Sequence, residues 1–198
     1  MTRIVAGTAK GRRLAVPPGA RPTSDRAREG LLASAAATLG TLDGARVADL
    51  YAGSGAVGLE ALSRGAADVV LIEADRAAVR AIRGNIETLR LPGARLLPGR
   101  VERLLALGPG ASLPRDFVFA DPPYATSAQE VTRALELLLT RGWLASGALV
   151  VVERATRSGP PAWPPGYQPD KARRYGEATL WYGLAAGRES ADESLTGA

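Results

Sequence analysis

From residue 46 to residue 153 the chain alternates strand-length apolar runs with helix-length segments, and few folds accommodate that rhythm. RVADLY (46–51) leads through a glycine-rich turn to a predicted helix over 56–64, and DVVLIEA (68–74) to one over 75–90. ARLLP (94–98) leads to a helix over 101–107, and FVFA (117–120) to one over 127–141, after which comes ALVVVE (148–153). Apolar strands separated by helices predict a parallel sheet covered on both faces. The ending breaks the rhythm: KARRY and ATLWYGL flank Gly176-Glu177, the pattern of an antiparallel hairpin. The expected fold class is α/β, a mostly parallel sheet that finishes in an antiparallel hairpin and carries helices on both faces.

Outside that region the signals are local. RIVA (3–6) and RRLAV (12–16) flank the turn-prone TAKG and predict a small basic hairpin. PPGARPTSD then interrupts, and Thr23 or Ser24 can cap a helix running to about Leu39. RSGPPAWPPGYQPD (157–170) holds five prolines and reads as an ordered or semi-rigid loop. The small polar tail, GRESADESLTGA, reads as disordered. The expected organisation is a hairpin extension over 1–22, one domain over 23–184 and a tail over 185–198.

Composition narrows the chemistry. The 198 residues include no cysteine and no histidine, so disulfides, thiol nucleophiles and imidazole bases are excluded. Carboxylates, hydroxyls, cations, backbone groups or a cofactor must do the work. No run approaches membrane-spanning length and MTRIVAGTAKGRR lacks a signal-peptide core, so a cytoplasmic protein without membrane contact is expected. Net charge is +5, and residues 1–30 alone carry seven cations against Asp25 and Glu29. An arginine-rich composition explains the choice of Arg over Lys but not this clustering. Nucleic-acid contact is expected through Arg3, Lys10, Arg12, Arg13, Arg21 and Arg26. Arg26 and Arg28, on the predicted helix, could meet RNA or a ligand carboxylate, or pair with Glu29 or solvent.

Asp49-Leu50-Tyr51-Ala52-Gly53-Ser54-Gly55-Ala56-Val57-Gly58 places G-x-G-x-x-G between strand and helix. Glu73 ends the next strand, where a carboxylate can accept ribose hydroxyls, so a nucleoside cofactor is expected. Asp49 would repel a pyrophosphate but suits a ligand bearing an ammonium and a sulfonium, which points to S-adenosylmethionine. The second motif is Asp121-Pro122-Pro123-Tyr124, directly after FVFA. An exocyclic base amine is a poor nucleophile because its lone pair is delocalised. The Asp121 carboxylate and the Pro122 carbonyl, pre-aimed by the fixed proline φ, can accept its two N–H bonds and stabilise charge developing on nitrogen. Tyr124 offers a face on which an extruded base can stack.

ADLYAGSGAVGLEALSRGA resembles motif I of class I S-adenosylmethionine-dependent methyltransferases, and DPPY resembles their motif IV for exocyclic amines. With RIVAGTAKGRRL, RPTSDRAREGL and FVFADPPY, the chain from about residue 3 to residue 184 resembles the RsmD family. The resemblance implies a class I fold with a basic N-terminal hairpin, acting as a monomer on small-subunit ribosomal RNA or an assembling particle. It implies methyl transfer to a guanine N2 amine, guanine 966 in the usual rRNA numbering. It places Asp121, Pro122, Pro123 and Tyr124 at the reaction, and Asp49, Tyr51, Ala52, Gly53, Ser54, Gly55, Glu73, Ala74 and Asp121 around the cofactor. No metal is implied. Where many class I enzymes place an acid or amide against the adenine, this chain has LPGRVE, with Arg100 in that place and Glu102 a lesser candidate. Trp163 and Tyr167, with Arg154 and Arg157, could wall an RNA site or pack on the sheet. The DPPY turn alone does not choose the base: adenine N6 methylation, or a non-catalytic RNA-binding assembly factor, remain the competing readings.

Overall fold

The computed structural model describes residues 2–19 and 24–186. Seven strands form one sheet: β3 (Arg46–Leu50), β4 (Asp68–Glu73), β5 (Ala94–Pro98), β6 (Arg115–Ala120), β7 (Leu144–Ala155), β8 (Tyr167–Tyr175) and β9 (Ala178–Ala185). Their spatial order is β5-β4-β3-β6-β7-β9-β8, and β5 through β7 are parallel while β9 and β8 are antiparallel additions. The chain leaves β3 toward β4 on one side and returns to β6 on the other. A crevice therefore opens beyond the carboxyl ends of β3 and β6, where open α/β sheets bind ligands.

The strands are buried on both faces, and their alternation sorts the core into two layers. Val47, Val69, Leu71, Phe117, Phe119, Leu149 and Val151 face α1 (Asp25–Leu39), α2 (Ala56–Ser63) and α3 (Arg76–Leu89). Their neighbours Ala48, Leu50, Val70, Ile72, Val118, Val150 and Val152 face α4 (Val101–Leu107) and α5 (Ala128–Thr140). Helix starts are fixed by short polar side chains: Ser24 accepts from the Ala27 N–H, Asp75 from those of Ala77 and Ala78, and Ser127 closes a capping box with Glu130.

Three features differ from the sequence expectation. The hairpin pairs only β1 (Thr2–Arg3) with β2 (Arg13–Leu14); between them the backbone turns on itself, and the N–H groups of Val5, Thr8, Ala9 and Ala15 bond to the body of the protein. β7 begins at Leu144, four residues early, since an irregularity lets Arg115 face Leu144 while Phe117 faces Leu149. Tyr167 to Asp170, read as loop, belong to β8; this is an edge strand, so Pro169 leaves no ladder donor missing inside the sheet. Among the described residues no helix is long and apolar enough to cross a membrane. The tail from residue 187 lies outside the described residues.

Residues 2–19 are packed onto the domain. Ile4, Ala9 and Leu14 are buried in the same core layer as α1 and α2. The Glu60 carboxylate, fully buried, accepts from the Val5 N–H (3.2 Å) and from Arg28 Nε (2.7 Å), and Arg64 holds its other oxygen at 2.7 Å. Ser63 accepts from the Ala9 N–H at 2.9 Å and donates to the Ala6 carbonyl at 2.7 Å.

Candidate active site

One cavity of about 1130 Å³ occupies the crevice. Its wall includes Tyr51 and Gly53 after β3, Glu73 and Ala74 where β4 ends, Arg100 to Glu102 after β5, Asp121 to Tyr124 after β6, and Glu153 near the carboxyl end of β7. Pro17, Pro18 and Gly19, leading from the hairpin, close another side. The topology thus brings the glycine turn and DPPY, about seventy positions apart in sequence, to one space.

The turn is held from below and from the side. Gly53 and Gly55 have φ of 58° and 76°, and Gly55 starts α2 without a side-chain cap. Tyr51 also sits at positive φ, 57°, a strained position for a residue with a Cβ, and its hydroxyl donates to Glu102 at 2.8 Å. Glu73 accepts the Gly53 N–H at 2.8 Å with one oxygen, and the N–H groups of Ala74 and Asp75 at 2.7 and 2.8 Å with the other. A carboxylate has about four lone-pair positions, so this one can still accept from a hydroxyl in the cavity.

Asp49 lies behind the turn. It is buried and its Oδ2 accepts the Gly58 N–H at 2.9 Å. A Cβ on Gly58 would stand 2.8 Å from Val69 Cγ1 and 3.2 Å from Asp49, which is why the third glycine of the motif lets α2 approach β3. Burial pushes the Asp49 carboxyl up to about 7, the Gly58 hydrogen bond opposes that, and the charge of Glu73 adds to it. Asp49, Ala52, Ser54 and Gly55 therefore shape the turn from behind, while Tyr51, Gly53, Glu73, Ala74 and Asp121 line the cavity.

Asp121 is raised well above the usual carboxylate range by burial, then by the charges of Glu153 and Asp49. Pro122 is half-buried, and the Pro123 carbonyl closes a turn by accepting from Thr126 N–H at 2.8 Å. Tyr124 is 74% exposed at the cavity rim, where its aromatic face is open to a ligand. After β5, Arg100 is exposed and 4.0 Å from Glu102 and Glu130, while one Glu102 oxygen is taken by Tyr51. Val101, buried at the cavity wall, leaves the first turn of α4 as the surface offered there.

The expected RNA residues divide. Arg3, Lys10, Arg13 and Arg26 are exposed. Arg12 is committed: Nη1 donates to the Leu89 carbonyl at 2.8 Å and Nη2 to that of Thr88, capping the end of α3. Arg21 lies outside the described residues. Arg28 is buried and pairs with Glu60 in the interior and with the partly exposed Asp25, while Glu29 faces solvent. Of the two readings for the aromatic pair, packing holds: Tyr167 is buried with its hydroxyl on the Leu135 carbonyl at 2.9 Å, and Trp163 packs against it in a tilted arrangement with ring centroids 5.3 Å apart. Arg154 stays on the cavity wall and Arg157 on the surface.

Two residues went unnoticed in the sequence. Asn85 accepts the Ala15 N–H at 2.8 Å and donates to the carbonyls of Ala15 and Ser54, both at 2.9 Å, so it ties the N-terminal segment to the glycine turn. Its signal was a polar residue on the stripe Ala78, Ile82, Asn85, Leu89, the buried face of α3. Glu153 had a plainer signal, a carboxylate at the carboxyl end of the strand beside DPPY.

The family model Conserved hypothetical protein 95 matches residues 2–183. Ribosomal RNA small subunit methyltransferase D of Escherichia coli (strain K12) is 39% identical over 194 residues, 96% of this chain and 94% of that protein. The solved structure of yhhF from Escherichia coli superposes with a TM-score of 0.80 at 34% identity, over 93% of this chain and 97% of that one. TrmN from Thermus thermophilus, 24% identical with a TM-score of 0.60 over 80% of this chain and 48% of that one, shares the fold, that of class I methyltransferases.

Proposed function

The chain belongs to the RsmD family, and on that premise we propose that it methylates the N2 amine of a guanine in small-subunit ribosomal RNA, with S-adenosylmethionine as donor. Guanine 966 is the target the family's pattern suggests. The observation that carries the reading is the shared cavity: Gly53 and Glu73 stand on the same wall system as Asp121, Pro122 and Tyr124.

The residues present suit that donor. Glu73 keeps acceptor capacity toward a ribose, Val101 and Ala78 offer buried apolar surface, and the acids Asp49 and Asp121 favour a cationic ligand. S-adenosylmethionine supplies, when bound, a methyl group on a positively charged sulfur. Asp121 and the Pro122 carbonyl accept the two N2–H bonds and keep the lone pair directed at the methyl. Tyr124 holds the extruded base by its face, a contact worth about 1–3 kcal/mol. The Asp121 carboxylate would offset the positive charge that N2 gains on taking the methyl, while the electron pair of the broken methyl–sulfur bond stays on sulfur, which departs as a neutral thioether. The surplus proton then passes to Asp121, whose surroundings raise its proton affinity, or to water. Exposed Arg3, Lys10 and Arg13 are the proposed phosphate contacts.

The test is product analysis on naked small-subunit RNA and on assembled particles. N2-methylguanosine is expected, and Asp121→Ala should lose about 100-fold or more in transfer while retaining cofactor affinity. Appearance of N6-methyladenosine, or normal turnover by the variant, would overturn the proposal. Absence of cofactor binding by calorimetry would return the chain to a non-catalytic RNA-binding role.

A further inference from the structure

DPPY positions an amine without naming the base that carries it. The Watson–Crick edges differ beside that amine. In guanine, N2 is flanked by the ring N1–H, a donor. In adenine, N6 is flanked by N1, and in cytosine N4 is flanked by N3; both ring atoms are bare acceptors. A glutamine amide likewise sets its nitrogen beside a carbonyl oxygen. An acceptor placed next to the DPPY carboxylate would therefore welcome guanine and repel the other three.

Glu153 stands in that position. β6 and β7 run parallel with Ala120 opposite Val152, so Asp121, the first residue after β6, lies beside Glu153, which is still within β7. Neighbouring strands lie about 4.8 Å apart, a spacing that lets the two carboxylates address adjacent atoms of one base edge. Both residues line the cavity, and Glu153 is fixed from its other side by pairing with Leu180 of β9. We infer that Glu153 is the residue that selects guanine, accepting the N1–H while Asp121 and Pro122 hold the N2 amine. The selection is partly repulsive, since a carboxylate facing a bare ring nitrogen leaves two acceptors opposed in a desolvated site. The Glu153 charge is also the largest one acting on the Asp121 carboxyl, which is consistent with two acids aimed at one small space.

This inference rests on the proposed guanine-N2 reaction, and the test separates the two. RNA carrying 2-aminopurine at the mapped target keeps the N2 amine but lacks the N1–H. The wild-type protein should methylate guanine RNA about 10- to 100-fold more efficiently than 2-aminopurine RNA, the worth of a hydrogen bond to a charged group. Glu153→Gln, whose amide can donate to a bare N1, should shrink that preference to about threefold or less while losing activity on guanine, and Glu153→Asp should keep part of it. The preference is a ratio within one folded protein, so a general loss of stability does not imitate it, and the missing O6 affects all variants alike. An unchanged preference in Glu153→Gln, or no preference in the wild type, overturns the role of Glu153 and leaves the reaction standing. No N2 methylation of either RNA by the wild type overturns both.

Discussion

Asp49 and Asp121 both hold protons more tightly than an ordinary aspartate, and burial is the leading cause in each. Each also feels a neighbouring acid: Glu73 beside Asp49, and Glu153 with Asp49 beside Asp121. A cationic ligand reverses the imbalance, because a nearby positive charge favours the ionised carboxylate and lowers its pKa. Binding near pH 7, where Asp49 is about half protonated, should therefore release protons. The share from Asp49 should fade well above that pH, since that carboxylate is then already ionised. Calorimetry of S-adenosylmethionine binding in buffers of different ionisation enthalpy measures this directly. An apparent enthalpy independent of buffer at pH 7 would show that the two acids do not respond to the ligand. Asp49→Asn should reduce the release while keeping a carbonyl to accept the Gly58 N–H.

The sheet and its helices were legible because strands buried on both faces are written as unbroken apolar runs, and helices between them as periodic ones. Boundaries agreed within a residue or two where a cap marks them, as at Ser24, Asp75 and Ser127. They failed where nothing local speaks. The early start of β7 depends on an irregular pairing with β6, and β8 begins amid prolines that only an edge position permits. The glycine turn and DPPY were legible as motifs, but their meeting is a property of strand order. Asn85 was marked only by its place on the apolar stripe of α3, and Glu60 and Arg28 were not legible, because polar residues on helices read as surface until their partners are known. The Arg28–Glu60 pair is wholly buried and bridges α1 to α2 while the same carboxylate holds Val5. Removing Glu60 takes the buried carboxylate from Arg28 Nε and leaves Asp25, a partly exposed acid, as a counter-charge. Glu60→Ala should cost about 3–5 kcal/mol in denaturant unfolding. A loss under about 1 kcal/mol would mean that neighbouring groups or water replace the carboxylate.

Charge along the first thirty residues read as an RNA footprint, yet the arginines there do different jobs. Arg12 is anchored on the last carbonyls of α3, where a cation also meets the negative end of the helix. Lys10 and Arg13 face solvent. Replacing both by Ala should make the dependence of RNA affinity on salt shallower, by up to about two units of slope. Arg12→Ala should instead lower the melting temperature and leave the slope near its wild-type value. The reverse pattern, a changed slope for Arg12 and none for the other two, would place the phosphate contacts elsewhere. The arm's attachments also carry a message about synthesis. Val5, Ala9, Arg12 and Ala15 find their partners 55, 54, 77 and 70 positions later, at Glu60, Ser63, Leu89 and Asn85. Those positions do not exist while the first segment is emerging from a translating ribosome. The stretch proposed to meet a ribosome as substrate is thus made first by one, and it waits undocked until its third helix has been translated.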